Sequence, residues 1–422
     1  MGNRNVIELM GRWVIVGAFW GWVFLLTPAH GQWLVDSDGN LNSISEAIAL
    51  ASEGDTIEVA SGIYFEHDLV IDKSISIIGA DGAVIDGEGK GSLIVIRADG
   101  VTIEGLTLRN TGFSHVYDYA AILIEEAADP KILNNRLENI FFGIYLAETR
   151  GGEIRGNSIQ SGEHREAASG NGIHLWNATG PAVVENRIQG QRDGIYLEFV
   201  TNAEIRGNIS LENNRYGLHF MFSNDCRYVA NEFRRNGAGV AVMYSSRVEM
   251  VENRFLENWG GSSYGLLLKD MTESLVAHNE FSENTTAIFS EGSSKMEVRD
   301  NRFELNGWAI KIRSNSRNNR FTGNQFIENT FDVGTDSRRN PNLFEQNYWS
   351  HYEGYDLNRD GIGDVPYRPV RLFSMMIERY PSSMILLRSL LIGILDAAER
   401  VFPVLTPADL VDEMPLMERN HD

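Results

Sequence analysis

Four short side chains that carry oxygen acceptors lie close together near the C-terminus, in the stretch G-Y-D-L-N-R-D-G-I-G-D-V-P-Y at 354–367. They are Asp356, Asn358, Asp360 and Asp364. Oxygen ligands at alternate positions, followed by Gly361 at the sharp bend, form the first half of an EF-hand-like calcium loop. Tyr367 stands where such a loop needs a bidentate glutamate. The stretch therefore predicts either a calcium site or a tight Asx-rich turn without a metal.

A second group of residues could bind a soft metal ion. His219, Met221 and Met243 combine an imidazole with two thioethers, and these ligand types suit Cu(I). Methionine also packs well against aromatic rings and adaptable protein surfaces. The group therefore predicts either a site for copper in transit or a contact with a protein partner. No tightly bound cofactor is indicated.

The elements that position these residues are repeats. An asparagine followed at the second place by an apolar residue recurs mostly every 22 or 23 residues. The positions are Asn135, Asn157, Asn186, Asn208, Asn231, Asn253, Asn279, Asn301, Asn324 and Asn347, with Ser210 breaking the pattern after Asn208. Alternation with period two inside each unit indicates strands, and the leucine-rich repeat consensus is absent. The sequence therefore predicts an all-β solenoid, a parallel β-helix with short C-terminal helices. We expect the asparagines to stack as a hydrogen-bonded column and to take left-handed corner conformations.

Each repeat also contains a strand of the type G-I-x-L, and its x residue should point outward. Over the middle repeats this outward position and the one two residues later are aromatic, histidine or methionine. The residues are Tyr145, His174, Trp176, Tyr196, His219, Met221 and Met243. An outward column of this kind predicts a face that binds a protein partner. The alternative is a surface covered by the chain's own tail or loops.

Three repeats carry extra residues at the same point of the period, between Asn110 and Ala121, Ser161 and Gly170, and Trp259 and Gly265. In a solenoid, insertions at one register map to one side. The loops supply His115, Tyr117, Asp118, Tyr119, His164, Glu166 and Tyr264. We expect them to border the outward face, because binding residues often lie on loops held by a rigid scaffold.

The first 31 residues read as a secretory signal peptide, with arginines before an apolar run of about 14 residues and small residues at Ala29 and Gly31. A membrane anchor is the alternative, but the run is shorter than the roughly 20 residues that span a bilayer. We expect cleavage after Gly31 and export to the periplasm. The net charge of −21 argues against a nucleic-acid partner. Cys226 is the single cysteine and is expected to be a small buried residue.

The remaining chain divides into a β-helix at 32–350, the Asp/Gly-rich closing loop at 351–370 and a helical tail at 371–422. Apolar residues recur at helical spacing after Leu372, and Pro381 should break the tail into two helices. The tail either caps the last repeat or docks on a partner. Because the units of a solenoid contact mainly their neighbours, a chain that ends before Leu372 is expected to stay folded.

The closing motifs resemble those of the NosD family. The segment N-Y-W-x-x-Y-x-G-Y-D-x-N-x-D-G-x-G-D-x-P-Y, the tail motifs E-R-Y-P and A-E-R-V-F-P-V-L-T-P, and L-V-D-E-M-P-L-M carry the resemblance. It implies a right-handed β-helix in the periplasm that is not an enzyme. It also implies an accessory role in the maturation of nitrous oxide reductase during denitrification, in which the copper–sulfide centre is assembled. The implied partners are the reductase, the membrane subunit of an ABC transporter and a copper-chaperone lipoprotein.

The rival function is an exported carbohydrate-active enzyme, a polysaccharide lyase or hydrolase, because β-helices commonly carry such chemistry. Hydrolysis of this kind uses two convergent carboxylates. The outward columns offer Glu125, Glu198 and Glu291, which are several repeats apart. A carboxylate from a loop could still complete a pair, so the spacing favours an accessory protein without excluding the enzyme.

Overall fold

The computed structural model describes residues 31–161, 169–337, 339–387, 389, 394–395 and 410–419. The chain is a right-handed parallel β-helix of about 13 turns, which confirms the predicted fold class. The predicted signal peptide lies almost entirely outside the described residues. Within the described ranges, no helix is long and apolar enough to cross a membrane.

Three parallel sheets run the length of the described solenoid. Sheet 1 has 14 strands: Gln32–Val35, Thr56–Val59, Ser76–Gly79, Thr102–Glu104, Lys131–Leu133, Glu153–Arg155, Ala182–Val184, Glu204–Arg206, Arg227–Val229, Glu249–Val251, Leu275–Ala277, Glu297–Arg299, Arg320–Thr322 and Leu343–Glu345. Sheet 2 has 13 strands: Gly62–Tyr64, Ala83–Lys90, Thr107–Thr111, Arg136–Glu138, Ser158–Gln160, Arg187–Gln189, Ile209–Leu211, Glu232–Arg234, Arg254–Leu256, Glu280–Ser282, Arg302–Glu304, Gln325–Ile327 and Tyr348–Trp349. Sheet 3 has 12 strands: Leu69–Ile71, Ile94–Ile96, Ala120–Glu125, Phe142–Ala147, Ile173–Trp176, Asp193–Glu198, Tyr216–Met221, Ala238–Met243, Leu266–Lys269, Thr286–Glu291, Trp308–Ile312 and Phe331–Thr335.

The core follows from the period-two pattern of the strands. Ile144 and Leu146 are fully buried, while Tyr145 between them faces the other side of sheet 3 and is half-buried. Equivalent interior residues stack on each other from turn to turn. The longest aromatic stack has ring centroids 4.1–5.5 Å apart and comprises Phe233, Phe255, Phe281, Phe303, Phe326 and Trp349. Packing between turns therefore supplies the stability that a chain with one cysteine cannot obtain from an internal disulfide.

The predicted asparagine column is present at the corner between sheets 1 and 2. From Asn135 to Asn347, each side-chain Nδ2 donates to Oδ1 of the next asparagine at 2.9–3.1 Å. The expectation that these asparagines are left-handed is wrong. Positive φ belongs to the residue before each of them, as in Asn134 (54°) and His278 (55°), because that residue makes the bend.

A second column of stacked asparagines, which the sequence analysis missed, lies at the corner between sheets 2 and 3. It comprises Asn213, Asn236, Asn258, Asn284, Asn306 and Asn329. Each of these residues lies five positions after a member of the first column, so the same spacing was visible in the sequence. Two buried amide columns thus join successive turns and fix their register.

A short helix covers the N-terminal end of the solenoid. Helix α1 spans Ile44–Leu50, and the side chain of Ser43 caps it by accepting a hydrogen bond from the backbone nitrogen of Glu46. Ile44, Ala47 and Ile48 are buried against the first strands. The amphipathic stretch therefore closes this end, as its pattern indicates.

The tail covers the C-terminal end in its described parts. Helix α2 spans Leu372–Arg379 and ends before Pro381, where a 3-10 turn, Pro381–Leu386, begins. Phe373 and Ile377 of α2 pack on Trp308 and Phe331 of sheet 3. Glu378 pairs with Lys311 at 2.5 Å and with Arg313 at 3.2 Å. Helix α2 therefore belongs to the packed solenoid.

The last described segment, 410–419, is not helical, so the predicted helical tail is wrong over these residues. Asp412 bridges Phe344 in parallel and Tyr367 in antiparallel orientation, and Leu416 bridges Tyr348 and Ile362. Open strand edges attract such pairing because their backbone groups otherwise lack partners. The segment therefore forms the terminal layer of sheets 1 and 2.

Candidate functional site

The predicted partner face is a single structure on sheet 3. Tyr145, His174, Tyr196 and His219 are register partners on four successive strands. Their ring centroids are 4.3, 4.7 and 4.9 Å apart, and the Tyr145 and His174 rings are parallel within 1°. The four rings therefore form a continuous column across the sheet.

The two histidines of this column are not open to solvent. His174 and His219 are 9% and 5% exposed, so the expectation of a freely exposed surface at these positions is wrong. Neighbouring rings cover them, with Phe142 stacked at 5.8 Å from His174 and Tyr216 at 4.8 Å from His219. Alternation along the strand predicted the correct side of the sheet, but it could not show that large neighbours close over that side.

An ion pair underlies the C-terminal end of the column. The carboxylate of Asp193 is fully buried and accepts hydrogen bonds from Arg215, with Nε at 2.8 Å from Oδ1. Nδ1 of His219 lies 3.4 Å from Oδ2 of Asp193. Burial raises the pKa of Asp193, but hydrogen bonds from Arg215 and His219 outweigh it, so the pKa lies below its usual value. Asp193 is thus a buried anion that orients the imidazole of His219.

Both imidazoles keep one ring nitrogen without a partner. Nδ1 of His174 lies 3.5 Å from Nδ2 of Asn171, whereas the buried Nε2 atoms of His174 and His219 have no hydrogen-bond partner. Burial lowers the pKa of His174 to about 4, so its ring is neutral at neutral pH. A neutral imidazole nitrogen with a free lone pair is a metal ligand, and an unsatisfied buried nitrogen costs stability.

The two methionines lie beside the ring column. Met221 and Met243 are register partners on adjacent strands and are both half-buried. Equivalent residues on adjacent strands lie roughly 4.8 Å apart. The hydroxyl of Tyr196 lies 3.6 Å from the sulfur of Met221, and Met243 packs on the apolar cluster of Ala241, Leu267 and Phe289. The pair is therefore partly packed and partly accessible, which is compatible with both interpretations of its sequence.

Trp176, the remaining residue of the predicted face, lines an open cleft of about 480 Å³. The other lining residues are Arg97, Glu125, Glu126, Ala147 and Glu148. Arg97 pairs with Glu125 at 2.8 Å. This cleft is acidic and lies to the N-terminal side of the ring column.

The three insertions lie at one corner, between a strand of sheet 2 and the next strand of sheet 3, which confirms the prediction that they share a side. Tyr264 packs on Phe289 at 5.1 Å. A second cleft of about 480 Å³ is lined by Ser114, His115, Asp118, Phe141, Phe142, Ser169 and Arg192. Tyr117 and Tyr119 stack on each other at 5.8 Å. His164 and Glu166 lie outside the described residues.

The candidate calcium residues form a network of turns. Asp356 accepts hydrogen bonds from the backbone nitrogens of Arg359 and Gly361 at 2.6 and 2.9 Å. Asp364 accepts from Leu357 at 2.7 Å, and Asp360 accepts from the side chain of Asn358 at 2.9 Å. Across the described ranges, no three His, Cys, Asp or Glu side chains are placed to hold a metal ion together. The loop has the geometry of an Asx-rich turn.

The carboxylates of the outward column stay apart. Glu125 is the register partner of Ala147, Glu198 of Met221 and Trp176, and Glu291 of Lys269. None of these partners is acidic, so this column holds no carboxylate pair on adjacent turns. Cys226 is buried, as expected, and burial raises the pKa of its thiol to about 11.

Comparison with known proteins agrees with the resemblance of the closing motifs. The profile of the NosD family, described as periplasmic copper-binding protein, matches residues 155–359. A "probable ABC transporter binding protein NosD" from Pseudomonas aeruginosa is 33% identical over 392 residues, which cover 88% of this chain and 90% of that protein. A protein of the same name from Stutzerimonas stutzeri is 31% identical over 84% of this chain and 85% of its own length.

Solved structures show a likeness of fold. The family 28 exopolygalacturonase of Yersinia enterocolitica superposes with a TM-score of 0.58 at 12% identity, over 75% of this chain and 78% of that one. At this identity the likeness concerns the β-helix alone, since one fold hosts many activities.

Proposed function

This chain belongs to the NosD family, and we propose that it is a periplasmic accessory protein for the maturation of nitrous oxide reductase. In this role it helps to assemble the copper–sulfide centre together with an ABC transporter and a copper-chaperone lipoprotein. The names of its relatives support a transporter partner, and the family description supports copper as cargo. A signal peptide cleaved after Gly31 would deliver the chain to that compartment.

One observation carries the proposal for copper. Met221 and Met243 are in register on adjacent strands, and His219, two residues before Met221, has a buried Nε2 without a partner. Two thioethers and an imidazole are ligands that select Cu(I) over harder ions. The Asp193 carboxylate at Nδ1 of His219 is the kind of second partner that orients a metal-binding imidazole. These three side chains would receive the ion and pass it on.

The same face would bind the protein that delivers or accepts the copper. Tyr145, Tyr196 and Trp176 remain half-buried around the two enclosed histidines. Aromatic and methionine side chains are enriched at the centres of protein interfaces. Contact of a partner with this face would bring its own ligands close to Met221 and Met243.

Competition with a chromophoric Cu(I) chelator tests the copper site directly on the purified protein. We expect the double variant Met221→Ser with Met243→Ser to bind Cu(I) at least tenfold more weakly, because both thioethers are lost. Met384→Ser is the matched control, since Met384 is an exposed methionine of the tail. Equal affinity in the double variant and the control would refute this site. In cells, the double variant should lower the copper content of the reductase without lowering the amount of exported reductase.

A further inference from the structure

Three aromatic residues form a stack on the outer surface, immediately after the strands that carry the copper candidates. Phe199, Phe222 and Tyr244 follow Glu198, Met221 and Met243 on successive turns. The ring centroids of Phe199 and Phe222 are 5.3 Å apart and those of Phe222 and Tyr244 are 5.1 Å apart, with planes within 10° and 14°. The three residues are 49%, 40% and 41% exposed. This aromatic stack therefore lies outside the core.

The backbone at these positions makes the aromatic residues unusual. Their φ angles are 56°, 50° and 53°, in the left-handed region that bulky side chains rarely adopt. At the same corner, equivalent positions on other turns hold Glu126, Glu148, Asn177, Asp270 and Gly292. Asparagine and glycine tolerate this conformation far better. Because the exposed rings contribute little to the core, burial within the chain does not explain why three successive turns place them here.

The orientation of the rings restricts what can bind to them. In a face-to-face stack, the faces of Phe222 are occupied by its two neighbours, and the ring edges point toward solvent. Sugar rings and cations bind aromatic faces, so this stack is poorly suited to either. Ring edges instead accept aliphatic side chains or the faces of other aromatic rings in edge-to-face contact. The stack therefore fits the apolar side chains of a protein.

Carboxylates flank the stack along the same corner. Glu126 and Glu148 precede it, Asp270 follows it, and all three are exposed. Within the described ranges, none of the three forms an ion pair with a lysine or arginine. With roughly 4.8 Å per turn, Glu148 lies about 10 Å from Phe199 and Asp270 about 5 Å from Tyr244. A partner that covers the aromatic stack would place charge against these carboxylates at both ends, and positive charge is complementary.

We infer that the aromatic stack is a second docking surface, distinct from the copper face. Its occupant is a segment of a partner protein with aliphatic or aromatic side chains at its centre and Lys or Arg on both sides. The apolar centre would cover the edges of Phe199, Phe222 and Tyr244, and the basic residues would lie on Glu148 and Asp270. This surface does not depend on copper binding.

Photo-cross-linking in cells tests the docking surface. The chain is produced with p-benzoylphenylalanine at Phe222 or at Tyr244, irradiated, and the cross-linked peptide is identified by mass spectrometry. Leu305 is the matched control position, because it is 50% exposed and has a φ of 56° at a different corner. We expect one peptide, apolar in its centre and basic on both sides, to be cross-linked from Phe222 and Tyr244 and not from Leu305.

A charge-reversed variant completes the test. Glu148→Lys combined with Asp270→Lys should lower the yield of that cross-link at least fivefold, because both ends would then repel the basic residues. The exposed pair Glu104→Lys with Glu297→Lys on sheet 1 is the control for net charge. No cross-link, the same product from Leu305, an acidic peptide, a glycan adduct, or a yield unaffected by charge reversal would each overturn the inference. Unchanged Cu(I) affinity in these variants separates this result from that of the copper site.

Discussion

Asp412 occupies the place of the next asparagine beyond Asn347 in the first asparagine column. Its Oδ2 accepts hydrogen bonds from the backbone nitrogen of Asn347 at 3.0 Å, from Nδ2 of Asn347 at 3.1 Å and from Nε1 of Trp349 at 3.0 Å. Asp412 is fully buried although 65 residues separate it from Asn347. The acceptor that each turn takes from the next is thus supplied to the last turn by the tail.

Removal of this acceptor should destabilise the solenoid. In Asp412→Ala, three buried donors of Asn347 and Trp349 lose their partner, and we expect a loss of about 3 kcal/mol in the free energy of unfolding. Asp412→Asn keeps one acceptor oxygen and should lose clearly less. Urea denaturation followed by far-ultraviolet circular dichroism measures both. Equal stability of the Ala and Asn variants would show that the side-chain acceptor does not matter.

Truncation tests the tail as a whole. A chain ending after Arg371 lacks both the helix that covers Trp308 and Phe331 and the segment with Asp412. We now expect it to aggregate, because an apolar patch and the edges of two sheets become exposed. This reverses the expectation drawn from nearest-neighbour contacts in solenoids. A chain ending after Arg419 is the control, and size-exclusion chromatography is the measurement. A monomeric, folded truncated chain would restore the earlier expectation.

Local regularity explains what the sequence could predict. The recurrence of asparagine every 22 or 23 residues and the period-two strands lead directly to the turns of the β-helix and to the shared corner of the three insertions. Asp412 could not be found in this way, because its partner is remote in sequence and its position belongs to no repeat. The tail was judged only by its helical periodicity, which holds for Leu372–Arg379 and not for residues 410–419.

The candidate site shows the same division. Alternation placed Tyr145, His174, Tyr196 and His219 in one column, and the structure has them in that column. The burial of His174 and the contact of Asp193 with His219 depend on how side chains of several turns close over one another. Spacing alone carries no information about such closure.

Acid should weaken the fold through His174. Its folded-state pKa is lowered to about 4 by burial, with Asp193 acting in the opposite direction and Arg192 in the same direction. The unfolded chain takes up a proton below about pH 6.5, whereas the folded chain resists it until about pH 4. Stability from this group is therefore present above pH 6.5 and is lost as the pH falls toward 4, by about 3 kcal/mol.

The variant His174→Phe isolates this contribution. Phenylalanine keeps a ring between Tyr145 and Tyr196 but does not titrate, so its stability should fall less between pH 7 and pH 4. Urea denaturation at both values gives the difference, and His278→Gln, which replaces an exposed histidine, is the control. A wild-type protein and a His174→Phe variant with the same pH dependence would contradict the role of His174.

The closing loop should keep its shape without calcium. The oxygens of Asp356, Asp360 and Asp364 already accept hydrogen bonds from backbone or side-chain nitrogens of the same loop. We therefore expect a calcium chelator to leave the melting temperature unchanged within about 1 °C. Asp356→Ala should destabilise the protein by about 1 kcal/mol, because two well-formed but solvent-exposed turn hydrogen bonds are lost. Asp356→Asn keeps one side-chain acceptor and should lie between the two. If the chelator lowers the melting temperature by several degrees and added Ca²⁺ restores it, the turn is a calcium site, and the half-complete EF-hand pattern is then its sequence signature.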